Sequence, residues 1–264
     1  MNKKAFTLLL IGLLLIITLG TVLLLSDLNK NDEDIIIPKT GLYDYSILNK
    51  TGKYYAYEDD RYTSLAGIDV SEHNKKIDFK KVKESGIDFV FIRIGWRGYT
   101  EGVLHADTNF ETYFKNARDN GLLIGVYFFS QATNEEEAIA EAEMVLKTLN
   151  GRKLDLPVVY DFENITGDEA RTDGITREQC TKNALAFLGT VSKEYEVMLY
   201  ANSNLIRNYY DTEAMKDYRL WYAQYNEIPE YKDDFCIWQY SDKGEVPGIE
   251  KETDLNIMFI EKQK

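Results

Sequence analysis

The chain has 264 residues, 44% of them hydrophobic and 28% charged, with a formal net charge of −13. That acidic balance argues against binding a phosphate backbone, which needs a basic surface, so no nucleic-acid partner is expected. Cys180 and Cys236 are too few for a disulfide framework and read as buried small apolar residues. His73 and His105 are the only histidines, and neither lies in the His-Glu-x-x-His helix of a zinc peptidase.

Lys3 and Lys4 precede an unbroken apolar run over 5–25. About 20 such residues span a hydrocarbon core, so the run reads as a transmembrane signal-anchor whose lysines stay cytoplasmic. Secretion after signal cleavage is the alternative, although 18–20 makes a poor cleavage site. Residues 26–65 are polar and acidic with weak periodicity and read as an extracellular tether. Its aromatic residues Tyr54, Tyr55 and Tyr57 are expected to dock its end on the domain that follows.

From 66 onward strand-like and helix-like segments alternate, the pattern of a parallel sheet with crossover helices. The expected order is a strand at 66–70, a helix over 78–85 stopped by Gly86, a strand at 89–94, a helix over 107–120 stopped by Gly121, and a strand at 122–129. A helix to 149 then opens on a capping box of Thr133 and Glu136, and a strand at 156–163 follows it. A helix over 176–193 leads to a strand at 197–201 and a short helix over 202–209. Strands at 219–224, 235–240 and 253–258 complete the chain. Eight strands in this order predict an α/β fold: a single irregular TIM-like barrel over 66–264 whose later strands lack helices, preceded by the membrane helix. Length agrees, because one such barrel takes about 250 residues.

The strand at 156–163 carries the chemistry. It ends in Asp161 and Glu163, spaced i, i+2, and strand side chains alternate, so both carboxyls share a face. Paired acids repel, which drives their pKa values apart and lets one serve as a proton donor beside an ionised neighbour. That is the minimum equipment for glycosidic cleavage. Other polar and aromatic residues fall at or near strand ends, where a barrel builds its site: Asp69, Arg93, Tyr127, Tyr200, Trp221, Gln224, Gln239 and Asp254. Together they would furnish a cleft with amides for hydroxyls and flat rings for sugar C–H faces.

The runs 67–71 (Gly-Ile-Asp-Val-Ser), 89–93 (Phe-Val-Phe-Ile-Arg), 125–129 (Gly-Val-Tyr-Phe-Phe), 159–163 (Val-Tyr-Asp-Phe-Glu), 220–225 (Leu-Trp-Tyr-Ala-Gln-Tyr), 238–240 (Trp-Gln-Tyr) and 254–256 (Asp-Leu-Asn) resemble, in order, the motifs of glycoside hydrolase family 25. The resemblance spans 66–260 and leaves out the anchor and tether. It implies an irregular barrel and a lysozyme of the muramidase type, cleaving the β-1,4 bond between N-acetylmuramic acid and N-acetylglucosamine with neither metal nor cofactor. It also implies Glu163 as general acid, Asp161 as the acid that assists the substrate's own acetamido group, and Asp69 and Asp254 as the remaining acids of the cleft. Tyr127, Trp221, Gln224 and Gln239 would contact substrate, with Arg93 and Tyr200 beside them. The chain departs from the family where His73 and Asn74 replace a common Gln-Gly, and where Phe128 stands in place of a frequent histidine. Whether the outcome is retaining, inverting or substrate-assisted stays open at this level, since i, i+2 carboxyls can span either separation.

The expected partners are therefore peptidoglycan glycan strands and, through the anchor, a membrane, with the protein a monomer. Another reading is a wall-binding module on the same barrel that has lost turnover. Intact acids argue against it.

Overall fold

A computed structural model describes residues 35–41 and 43–263. The predicted membrane run at 5–25 lies outside them; among the described residues no helix is long and apolar enough to cross a membrane.

The domain opens earlier than 66. A hairpin of β1 (Asn49–Thr51) and β2 (Tyr54–Ala56) leads into β3 (Tyr62–Val70), four residues longer at its start than the sequence pattern marks. Then follow α1 (Phe79–Glu84), β4 (Phe89–Arg97), β5 (Leu104–Ala106), α2 (Phe110–Asp119), β6 (Leu123–Ser130), α3 (Glu135–Leu149), β7 (Val158–Phe162), α4 (Arg177–Val191), β8 (Val197–Asn202), α5 (Ser203–Asn208), α6 (Thr212–Met215), β9 (Arg219–Ala223), β10 (Ile237–Gly244) and β11 (Thr253–Glu261). Local chemistry sets the helix boundaries. Asp78 and Thr176 cap α1 and α4 through their side chains, and Gly86 and Gly121 follow α1 and α2 with φ of +99° and +69°, which glycine adopts without Cβ strain. The cap of α3 sits one residue later than the Thr133–Glu136 box: Asn134 accepts from the Glu137 N–H, and Glu137 reaches back to the N–H and hydroxyl of Thr133.

β3, β4, β6, β7, β8, β9, β10 and β11 close into a barrel, since β3 pairs with both β4 and β11. Every pair is parallel except the two made by β11, which runs antiparallel to β10 and β3. This differs from a uniform TIM-like barrel and moves one acid of the site, as described below. β5 adds antiparallel to the far end of β4.

Alternation divides each strand between two cores. Outward residues such as Val90, Ile92, Val126, Phe128, Val158 and Tyr160 pack with Val82, Ala142, Val145, Ala184 and Phe187 of the helices. Inward residues include Phe89 and Phe91, whose rings fit only because Gly67 and Gly125 lie across from them. A Cβ at either glycine would stand 2.2 Å from a phenyl carbon. Among the described residues no helix covers β10 and β11. The segment expected to be a tether does so: Tyr43 stacks on Phe259 at 3.8 Å and meets Tyr57, Tyr62 and Phe235, while Tyr55 lies against Trp238 and Tyr240. Tyr43, Tyr54 and Tyr57 are buried.

Candidate active site

At the end of the barrel where the parallel strands finish, a cleft of about 250 Å³ is lined by Asp69, Asp161, Glu163 and Asp254, together with Ser71, His73, Arg93, Tyr127, Phe129, Tyr200, Trp221, Tyr225 and Gln239. All four predicted acids are therefore side by side. Asp69 and Asp161 point inward from the last turns of β3 and β7, and Glu163 lies one residue past the end of β7. Asp254 arrives by another route than its strand position implied. It stands near the start of β11, not at a C-terminal end, and reaches the same rim because β11 is antiparallel and pairs Asp254 with Asp69.

A chain of hydrogen bonds fixes the cleft floor. Trp221 donates its indole N–H to Asn256 Oδ1 at 2.9 Å, and the Asn256 amide donates to Asp69 Oδ2 at 2.8 Å. Gln239 Nε2 donates to the same oxygen at 2.9 Å, while its Oε1 accepts from the hydroxyls of Tyr200 and Tyr225, each at 3.0 Å. Each amide thus has its orientation set by its donors, and Asp69 is held by two N–H groups that favour its ionised form. Burial works against them and wins in part, pushing Asp69 up to about 6.

The other acids lack such support. Burial, then Glu163 and Asp69, raise Asp161 well above the usual carboxylate range, with Arg93 opposing, and one Asp161 oxygen has no hydrogen-bond partner among the described residues. Burial and then Asp69 raise Glu163. Burial, then Asp69, Asp242 and Glu163, push Asp254 up to about 9. Four carboxyls this close cannot all be charged, so the cleft retains protons near neutrality, which is what a proton donor requires.

The same shifts set a stability prediction. An acid whose folded pKa exceeds its unfolded value binds more protons folded than unfolded between the two, so its favourable contribution is full below about pH 4 and is lost as pH rises through the folded pKa. For Asp254 that window runs from 3.8 to about 9. Asp254→Asn is therefore expected to raise the melting temperature at pH 8 by a few degrees, from relief of about 1–3 kcal/mol, with the gain vanishing near pH 4. A melting series across pH checks both the sign and the window.

Several expected contacts take other roles. Arg93 lines the cleft, but its guanidinium donates through Nε to Asp107 at 2.9 Å and through an Nη to Glu72 at 3.1 Å, while Thr108 secures Glu72 from the other side. It thus ties the rim turn at Glu72–Asn74 to the start of α2. Trp221 is 2% exposed, stacked on Phe91 at 4.7 Å and edged by Tyr127 and Tyr200, so it forms the floor and offers no open ring face. Gln224 falls outside the cleft: its amide donates to Glu230, and its carbonyl oxygen accepts the Glu230 N–H. Counting from inward Trp221 by twos reaches Ala223 and Tyr225, whereas Gln224 falls on the opposite face. Tyr225, which the sequence reading passed over, lines the cleft with half of its surface exposed. Phe128 faces the helices and packs on Phe187, so that departure from the family pattern does not touch the cleft. His73 does line it.

Comparison with known proteins agrees with this architecture. The chain is 29% identical to the autolytic lysozyme of Clostridium acetobutylicum over 194 residues, which is 73% of this chain but 55% of that protein. It is 26% identical to lysozyme M1 of Streptomyces globisporus over 205 residues, 74% of this chain and 67% of that one. The fold superimposes on a family 25 glycosyl hydrolase of Bacillus anthracis with a TM-score of 0.63 and 25% identity, over 79% of this chain and 94% of the other. Residues 68–249, which run from within β3 through β10, stop short of the closing strand β11 and hold three of the four clustered acids, match the model of Glycosyl hydrolases family 25, and the chain belongs to that family.

Proposed function

We propose that the protein is a peptidoglycan hydrolase of the muramidase type, cleaving the β-1,4 bond from N-acetylmuramic acid to N-acetylglucosamine. The observation that carries this reading is the gathering of Asp69, Asp161, Glu163 and Asp254 around one cleft in which the Arg93 guanidinium is already engaged by Asp107 and Glu72. Glu163 donates its retained proton to the leaving glycosidic oxygen as the bond to the anomeric carbon breaks. The substrate's acetamido oxygen closes on that carbon while its N–H keeps its proton and donates a hydrogen bond to Asp161, whose unpartnered buried oxygen suits that donor. Water then opens the ring, giving its proton to the Glu163 carboxylate and restoring the starting state. Asp69 and Asp254 position substrate and water, Tyr127 and Tyr225 offer ring faces to the sugars, and the proposed reaction uses no metal or cofactor. The autolytic and M1 lysozymes among the relatives support this substrate class.

The apolar run at 5–25 supports a single-pass anchor with the domain outside the membrane. Digestion of purified peptidoglycan followed by mass spectrometry of the reduced products tests the function. New reducing ends on N-acetylmuramic acid are expected; reducing ends on N-acetylglucosamine would assign a different bond, and sedimentation with the wall without any release would assign a binding module.

A further inference from the structure

Glu163 lies beyond the last β6–β7 pairing, Ser130 with Phe162, so no strand ladder fixes its main chain. No hydrogen bond to its carboxyl is present among the described residues, and the segment from Glu163 to Thr176 belongs to no helix or strand. A flexible side chain on an unpaired backbone would be a poor proton donor, because a misplacement of about 1 Å costs on the order of a hundredfold in rate. Something else must hold it.

Gln131, immediately after β6, is fully buried, and its side chain donates through Nε2 to the main-chain carbonyl of Glu163 at 2.7 Å. Its Oε1 accepts from the hydroxyl of Thr172 at 2.8 Å, itself buried within the loop that follows Glu163. Gln131 therefore clasps both ends of that loop, one through each half of a single amide. The clasp is itself anchored: the Gln131 carbonyl accepts from Arg171 at 2.8 Å, Arg171 forms a two-bond pair with Glu137 at 2.7 Å each, and Asn183 of α4 donates to the Ala132 carbonyl at 2.7 Å. None of these groups lines the cleft. A buried amide with both ends satisfied by one catalytic segment is a supporting shell for that segment.

We propose that Gln131 and Thr172 are positioning residues that hold the Glu163 backbone so its carboxyl meets the glycosidic oxygen. The proposal rests on the reading of Glu163 as proton donor. Losing the Thr172 hydroxyl frees the Gln131 amide to rotate, and losing the amide frees Glu163. Binding of the glycan to the rest of the cleft does not depend on either.

The test is steady-state hydrolysis of a soluble peptidoglycan fragment by the full chain, with melting temperatures recorded alongside. Gln131→Ala and Thr172→Val are each expected to lower kcat by roughly tenfold to a hundredfold with KM within about twofold. Thr172→Ser, which keeps the hydroxyl, is expected to restore kcat to within about twofold. The variants should also lose definition in the alkaline limb of the pH profile that reports Glu163. The proposal is overturned if Thr172→Val keeps wild-type kcat in a folded protein, if Thr172→Ser is as impaired as Thr172→Val, or if KM rises while kcat holds. A wild-type chain that hydrolyses nothing, or a Glu163→Gln variant that stays active, overturns instead the reading on which the proposal stands.

Discussion

Glu163→Gln is expected to lower kcat for peptidoglycan by about a thousandfold or more while leaving KM and the fold intact. The substitution keeps size and hydrogen-bonding capacity but removes the transferable proton, and general acid catalysis contributes roughly 10²–10⁴ in rate. Folding is not expected to suffer, because the carboxyl it removes carries a pKa raised by burial and by Asp69, a mark of a group that opposes its own ionisation. The pH profile separates this reading from a merely local role. Wild-type activity should fall on the alkaline side as Glu163, titrating above its ordinary value, loses its proton; the residual activity of the variant should lack that limb. Reducing-sugar release across pH for both proteins is the check, and a variant within tenfold of wild type would remove Glu163 from its role.

Removal of residues 36–57 is expected to abolish cooperative folding of the barrel. This segment buries Ile37, Tyr43, Tyr54 and Tyr57, with Tyr43 and Tyr57 against Phe259 of β11 and Tyr54 against Ser85 at the end of α1, and each large apolar side chain is worth about 1.5–3 kcal/mol on burial. The sum, roughly 6–12 kcal/mol, matches the entire stability of an ordinary domain. Further ties add to it: the Glu261 N–H donates to the Ile36 carbonyl at 2.9 Å, and Arg219 Nε donates to the Ile37 carbonyl at 3.0 Å. Without this segment Phe235, Trp238 and Phe259 lose the rings of Tyr43, Tyr55 and Tyr57 that cover them. Thermal unfolding by circular dichroism should be cooperative for the full chain and absent or strongly shifted for the shortened one; an unchanged transition would show the segment to be dispensable.

Much of the barrel was legible because its strands are short apolar runs separated by capped helices, and because inward and outward positions alternate. The acids at 161 and 163 stood out for the same reason: two charges at the end of an otherwise buried strand need a cause. What sequence pattern could not supply was direction and partnership. Nothing in 253–258 marks that strand as antiparallel, yet this alone brings Asp254 to the rim from its strand's first residues. The tether's tyrosines hinted at docking, but polar composition hid that Tyr43 and Tyr62 belong to the same aromatic cluster as Phe259. Period two, followed past the end of β9, would have chosen Tyr225 over Gln224. Arg93 read as a ligand contact because its acid partners, Glu72 and Asp107, lie far from it in sequence. Gln131 gave no signal at all, since its role depends on a main-chain carbonyl 32 residues away.

The most direct test of the shared acidic cleft is a crystal structure of Glu163→Gln bound to a tetrasaccharide of alternating N-acetylmuramic acid and N-acetylglucosamine. The muramyl glycosidic oxygen is expected within hydrogen-bond distance of the residue 163 amide, with the acetamido N–H of the same sugar on Asp161. A glycan seated elsewhere on the barrel, or one crossing the cleft with that oxygen out of reach of residue 163, would contradict it.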